Sequence, residues 1–171
     1  MLPQRKFIRL RDYDYLSKGY YFITICTKDR EHLFGDIGNG AMQLNEFGKI
    51  VNETWQWLFQ RYPYIHLDQW MIMPNHFHGI LIIENGDHAG GSRTTNEIKR
   101  KPLGRLIGAF KTVSTKHINQ LRNSPGISVW QRNYYERVIR SEHELNETRQ
   151  YILDNPAKWD QDPENVLVSA Q

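Results

Sequence analysis

Two histidines set two residues apart, His76 and His78, offer the clearest chemistry in this chain. They follow Pro74-Asn75, a tight turn signal, and open the run His-Phe-His-Gly-Ile-Leu-Ile-Ile over 76–83. Such a run reads as a strand, in which alternate side chains share a face. His76 and His78 then project side by side, about 6–7 Å apart along the backbone. Ile80 and Ile82 fall on their side, and Phe77, Leu81 and Ile83 on the other. Two neutral imidazoles so placed can hold one divalent cation, because imidazole is the commonest metal-binding side chain. The same spacing also suits two polar positions on the open face of a sheet. The choice turns on whether further ligands and a nucleophile reach the pair.

A late helix supplies candidates. Ser141 lies three residues before Glu144, the spacing of a capping box, and Leu145, Thr148 and Ile152 follow at helical intervals. Pro156 ends the helix, since the residue before a proline is pushed out of the α region. Tyr151 and Asn155 stand four apart and so share a face, one turn from each other. At about 100° per residue both fall beside the Leu145–Thr148–Ile152 stripe. If that stripe docks on the sheet, Asn155 can offer a neutral oxygen ligand and Tyr151 a hydroxyl. A phenol with a pKa near about 10 is a poor nucleophile at neutral pH unless activated. A divalent ion helps mainly by polarising a phosphate and orienting the scissile bond. Two imidazoles with an amide oxygen suit Mg²⁺ or Mn²⁺, and also Zn²⁺. Plainer roles exist for each residue. Tyr151 can pack on the sheet, Asn155 can cap its helix, and Tyr134 and Tyr135 are rival nucleophiles. Those two rank lower, because neighbours on a strand face opposite ways and neither has a ligand one turn away.

The elements that must position these groups follow from periodicity. Residues 20–27 are aromatic and β-branched and read as a central strand. Gly35, Gly38 and Gly40 mark turns with a short hairpin. A first long helix runs from Asn45, its N-cap, to Phe59, with Pro63 just beyond. Residues 65–73 read as a second strand, joined in a hairpin to 76–83. Residues 85–102 form a polar, glycine-rich loop ending in Lys99-Arg100-Lys101. A second long helix spans 103–121, and 129–139 read as a fourth strand or extended segment. The expected class is α+β, a ferredoxin-like (RRM-like) β-α-β-β-α-β plan with a four-stranded antiparallel sheet, two helices on one face, and an added C-terminal helix carrying Tyr151. The other face of the sheet is left free, and in many nucleic-acid binders that face is the working surface. A polar tail, 160–171, follows with no clear element.

A length of 171 residues fits one domain spanning 1–171. The formal charge of +3 and pI of about 9.0 lean mildly towards polyanions. Residues 1–19 form a basic arm suited to a phosphate backbone or to solvent alike. No run of about 18 apolar residues is present, so no membrane span is expected, and the charged N-terminus does not read as a signal peptide. Cys26, the single cysteine, excludes a disulfide framework and suits a reducing cytoplasm. Candidate DNA contacts are Arg5, Lys6, Arg105, Lys111, Trp130, Arg132, Tyr134, Arg137 and Arg140, which combine positive charge with rings able to stack on bases.

Three blocks, Pro74–Gly79, Val129–Arg140 and Tyr151–Pro156, resemble the single-tyrosine HUH transposases, most of all the transposase-like proteins associated with repetitive extragenic palindromes in bacteria. The resemblance covers roughly residues 5–160. It implies that His76, His78 and Asn155 form a metal site for Mg²⁺ or Mn²⁺ and that Tyr151 is the nucleophile. It also implies a substrate of single-stranded DNA beside a hairpin or palindromic repeat, cut and rejoined through a 5′-phosphotyrosine. Both homodimers and monomers occur in that family. A reading from another class is a non-catalytic single-stranded DNA or RNA binding module of the same sheet plan. A small zinc hydrolase is a third, weakened by the lack of a His-Glu-x-x-His glutamate.

Overall fold

The aromatic run after Gly19 becomes the middle of the main sheet. β1 (Gly19–Cys26) pairs antiparallel with β5 (His76–Ile83) on one side and β6 (Tyr135–Ile139) on the other. β5 pairs antiparallel with β4 (Ile65–Met73), so the order is β4-β5-β1-β6. The computed structural model describes residues 18–84 and 100–165. Arg5, Lys6 and most of the loop expected at 85–102 lie outside them. A separate hairpin joins β2 (Gly35–Gly38) to β3 (Ala41–Leu44). Its two loop residues, Asn39 and Gly40, have φ of 52° and 72°, the left-handed pair that a tight two-residue hairpin requires.

Local signals place the helices. In α1 (Glu46–Arg61) the Asn45 side chain accepts the Gly48 N–H at 3.0 Å, relieving one of the orphan donors of the first turn. α2 spans Leu103–Leu121. In α3 (Glu142–Asp154) the Ser141 hydroxyl accepts the Glu144 N–H at 3.1 Å. The Glu144 carboxylate in turn accepts the Arg140 N–H.

Strand alternation divides the core into two layers. Tyr21, Ile23 and Ile25 of β1 and Phe77, Leu81 and Ile83 of β5 meet Trp55, Leu58, Leu106 and Phe110 from α1 and α2. Gly79 faces this layer. A Cβ there would lie 2.7 Å from the Phe77 ring and 3.0 Å from Trp55, so the bare backbone is what lets these two rings meet, tilted at 55° with centroids 4.6 Å apart.

The opposite face is not free. Phe22, Ile80 and Ile139 bury Leu145 and Ile152 of α3 there, because the apolar stripe of α3 has no other surface to cover it. Arg149 fastens the helix to β4 through a two-pronged pair with Asp68, at 2.8 and 2.5 Å.

Two further segments differ from expectation. The fourth strand begins only at Tyr135. Upstream, Trp130 makes a single bridge to Thr27, and its ring inserts between Phe34 and Phe110, with the indole N–H donated to Ser114 at 2.9 Å. That burial pulls 130–134 off the ladder. After α3 the chain does not trail away as a polar tail. Pro156–Gln161 winds into a 3₁₀ helix whose Trp159 is buried. Among the described residues no helix is long and apolar enough to cross a membrane.

Candidate active site

The site is built first by register. β1 sets Thr24 opposite His78 and Cys26 opposite His76, with both imidazoles on the α3 side of the sheet. His76 is 0% and His78 3% exposed. Their outer nitrogens are occupied: His76 Nδ1 lies 2.8 Å from Asn75 Oδ1, and His78 Nδ1 lies 2.8 Å from Thr24 Oγ1. The Asn75 amide also donates to the carbonyls of Arg30 and Glu164, at 3.2 and 2.6 Å. The inner nitrogens, both Nε2, face each other at 3.1 Å. Burial pushes the His76 pKa down to about 4, against a smaller opposing pull from Asp162. Burial and the neighbouring His76 hold His78 well below the usual range. Both rings are therefore neutral at neutral pH. Two nitrogens bound to one ion at about 2.1 Å would stand roughly 3.0–3.4 Å apart for angles between 90° and tetrahedral, and the observed separation falls in that interval.

Oxygen groups close the site. Asn155, at the C-cap of α3, sends its amide against His76, Tyr151 and Asp162. Asp162 Oδ2 lies 3.7 Å from His76 Nε2. Ligand atoms of His76, His78 and Asp162 all fall within 4.8 Å of one another. Asn155 Oδ1 and Asp162 Oδ2 are buried without a hydrogen-bond partner. Buried oxygens so left cost free energy unless a donor or cation meets them. Two imidazole nitrogens, a carboxylate oxygen and an amide oxygen thus converge as a donor set that fits a divalent metal.

Tyr151 borders this cluster. Its ring is 5.4 Å from that of His78 and 6.1 Å from that of Phe22, and the residue is 49% exposed. Burial and then the Asp162 charge push its pKa up, while a hydrogen bond with Asn155 works the other way. The hydroxyl is therefore protonated at neutral pH, and it keeps an approach from solvent.

The structure brings His76, His78, Tyr151 and Asn155 together. Of the other candidates, Arg137 is nearest, with its guanidinium 5.5 Å over the Phe22 ring and a hydrogen bond to Thr148 at 3.0 Å. Arg140 is exposed at the end of β6. Tyr134 packs against the α1/α2 layer and donates its hydroxyl to Glu136 at 2.6 Å. Its neighbour Tyr135 is exposed on the site side, 6.3 Å from Phe22. Trp130 belongs to the core and has no face to offer a base. Arg105 and Lys111 stand on α2, across the sheet from the histidines, and Arg132 lies beside Lys111.

Sequence reasoning missed Asp162, Thr24 and Asn75. Asp162 is carried in by the 3₁₀ helix, where Trp159 packs 6.0 Å from the His76 ring and 5.5 Å from the His32 ring. A lone tryptophan in an otherwise polar stretch was the available signal that this segment is anchored.

No family model matches the chain. An uncharacterized protein of Haemophilus influenzae is 39% identical over 169 residues, covering 94% of this chain and 93% of the other. The two belong to one family. Among solved structures, a REP-associated tyrosine transposase bound to a REP hairpin superposes with a TM-score of 0.59 at 21% identity, over 88% of this chain and 73% of that one. The chain has the fold of that transposase. A structure from Deinococcus radiodurans aligns too loosely to add to this, with a TM-score of 0.48 at 17% identity over 85% of this chain and 95% of the other.

Proposed function

We propose that this protein is a metal-dependent, transposase-like endonuclease that cuts and rejoins single-stranded DNA beside a hairpin through Tyr151. The observation that carries the reading is the convergence of α3 on β5. The Tyr151 ring is 5.4 Å from His78, whose Nε2 is 3.1 Å from that of His76. The shared fold with a transposase holding a REP hairpin supports the choice of substrate. The order β4-β5-β1-β6 likewise supports the ferredoxin-like plan.

His76, His78 and Asp162, with Asn155, would hold the ion. Two imidazoles make Mn²⁺ a better fit than Mg²⁺, which favours oxygen ligands. When bound, the ion neutralises charge on the phosphate and orients it. The residues then do the covalent work. Tyr151 Oη bonds to phosphorus and its proton passes to solvent at the exposed edge of the ring. The P–O3′ bond breaks, and the released 3′ oxygen takes up a proton. The resulting 5′-phosphotyrosine keeps the bond energy of the phosphodiester, so attack by another 3′-hydroxyl rejoins the strand and returns the phenol. Arg137 and Tyr135 flank the opening, suited to a phosphate and a base respectively. In this chain α3 packs on the sheet that carries the histidines, which supports attack by Tyr151 within one copy.

The test is a denaturing gel of protein with labelled single-stranded DNA bearing a hairpin. A covalent band that forms with Mn²⁺, disappears with EDTA and is absent in Tyr151→Phe is the expected result. An adduct that persists in Tyr151→Phe would refute the nucleophile. Binding without any adduct in the native protein would leave the non-catalytic module as the better reading.

A further inference from the structure

On the α3 face of the sheet, rings crowd around Tyr151. Phe22, on the central strand, is their floor. His78 stacks on it at 5.5 Å and 25°, while Tyr151 and Tyr135 meet it edge-on at 6.1 and 6.3 Å, with interplanar angles of 86° and 71°. Phe22 is only 7% exposed, so these neighbours leave it no face for a ligand. Tyr135 is different. Among the described residues the exposed Phe, Tyr or Trp side chains are Phe59, Tyr135 and Tyr151, and Phe59 belongs to α1, across the sheet. Tyr135 is therefore the ring beside Tyr151 that keeps its surface open to a base.

Register fixes its distance from the histidines. Thr24 pairs with His78 on one side and with Tyr135 on the other, so the three share one rung and one face. Tyr135 then stands two strand spacings, about 10 Å, from His78. One nucleotide spans that interval from its 5′ phosphate to its base. The order across the face is His78, Tyr151, Tyr135. The Tyr151 ring touches both His78 and Phe22, and the Tyr135 ring reaches Phe22 from the β6 side. Arg137, two residues along β6 and paired with Phe22, has its guanidinium held by the Thr148 hydroxyl at 3.0 Å, where it can meet the next phosphate of a strand laid along β6.

We infer that Tyr135 stacks on the base of the nucleotide that Tyr151 captures, the one immediately 3′ of the scissile phosphate. This rests on the reading of Tyr151 as the nucleophile. Its attack forms a bond from Oη to phosphorus and breaks the P–O3′ bond; the phenol proton goes to solvent and the released 3′ oxygen takes one up. Attacking and leaving oxygens lie roughly in line across the phosphorus. With the phosphorus between Oη and the histidines, the departing strand runs towards the histidines and away from Tyr135. The nucleoside on the 5′ oxygen stays joined to the phosphate, and it is the one that can turn back over Phe22. Stacked there, it keeps the 5′-phosphotyrosine in place until a 3′-hydroxyl arrives to rejoin the strand. Every base has a face to stack, so the contact ignores sequence. A base still stacked and paired in a duplex has no free face, so the same ring makes the site demand an unpaired nucleotide at that position.

Rates of covalent adduct formation test it, on a hairpin-bearing single strand whose cut is mapped from the length of the released 3′-hydroxyl fragment. Two further strands carry an abasic site immediately 3′ or immediately 5′ of the cut. Tyr135→Ala should lower the adduct rate at subsaturating DNA at least about fivefold, and Tyr135→Phe should match the native chain. The 3′ abasic strand should lose a similar factor with the native chain and nothing further with Tyr135→Ala, the mark of two groups in one contact. The 5′ abasic strand should change by the same factor in both proteins. A Tyr135→Ala variant that slowed every strand equally would make the ring a support for Tyr151 and overturn the inference, with the proposed function left standing. Native rates in Tyr135→Ala, or cancellation with the 5′ lesion instead of the 3′ one, would overturn it in the same way. No adduct from the native protein would overturn both readings.

Discussion

Lowering the pH in EDTA should destabilise this protein over a window set by its two buried imidazoles. A free histidine titrates near about 6.5, whereas His76 in the folded chain is pushed down to about 4. Between those values the unfolded chain binds more protons than the folded one. The stabilising contribution is therefore complete above about pH 6.5 and is lost as the pH falls towards 4. A gap of about 2.5 units corresponds to about 3 kcal/mol for His76 alone, a large share of the roughly 5–15 kcal/mol that holds most domains folded. His78 moves in the same direction and adds to the loss. Asp162 works in the opposite sense. Burial raises its pKa, so its ionisation costs the folded state, and that cost is relieved as the pH falls through its folded pKa. It offsets part of the loss at the acid end. Urea unfolding in EDTA between about pH 7.5 and 4.5 reads the effect, comparing the native chain with His76→Gln/His78→Gln. The native chain should lose at least about 2.5 kcal/mol more than the variant across this range, the His76 share alone. Mn²⁺ at about 100 times its dissociation constant should restore about 2.7 kcal/mol at neutral pH, and less in acid, where protons compete for the same nitrogens. Parallel profiles for the two proteins would refute the buried neutral pair on which the proposed metal site depends.

Three other perturbations bear on how the site is held. Gly79→Ala forces a Cβ against Phe77 and Trp55 and should cost about 1–3 kcal/mol by overpacking; a stability within error of the native chain in urea would show that those rings can move aside. Arg149→Met removes the pair with Asp68, which is partly solvated, so global stability should fall by no more than about 1 kcal/mol. Its larger effect should be on hydrogen exchange, with protection lost across α3 and retained in β5; protection unchanged in α3 would deny Arg149 that fastening role. Asp162→Ala should weaken Mn²⁺ binding by at least about tenfold in calorimetry with the melting transition intact, and an unaltered affinity would remove Asp162 from the ligand set.

Much of the site was legible because it lies on regular elements. Strict alternation over 76–83 placed both histidines on one face, and the four-residue step from Tyr151 to Asn155 placed those two at the edge of the α3 stripe. Asn45 and Ser141 marked helix starts through the one interaction that a helix N-terminus demands. What escaped notice is what periodicity does not encode. Trp130 has the composition of a strand residue, but a buried Ser114 hydroxyl and two facing phenylalanines claim its ring for the core. Asp162 arrives on a 3₁₀ turn too short to show a period, and its placement depends on the packing of Trp159 against His76 and His32. Nothing local in the sequence says that the stripe of α3 seeks the face opposite α1 and α2, because both faces of the sheet are apolar enough to receive it.

The amide of Asn75 works as a one-way polarity relay. Its nitrogen is engaged by the carbonyls of Arg30 and Glu164, 45 and 89 residues distant in the chain. A carbonyl can only accept, so the amide has one permitted orientation, with its oxygen towards His76. That oxygen in turn can only accept, so His76 must keep its hydrogen on Nδ1 and leave Nε2 bare. Two backbone oxygens, both far from His76 in the chain, thereby choose the tautomer of a buried imidazole in the candidate site. The loop after β1 and the segment after the 3₁₀ helix have to be folded in place before His76 presents a bare Nε2 to the site.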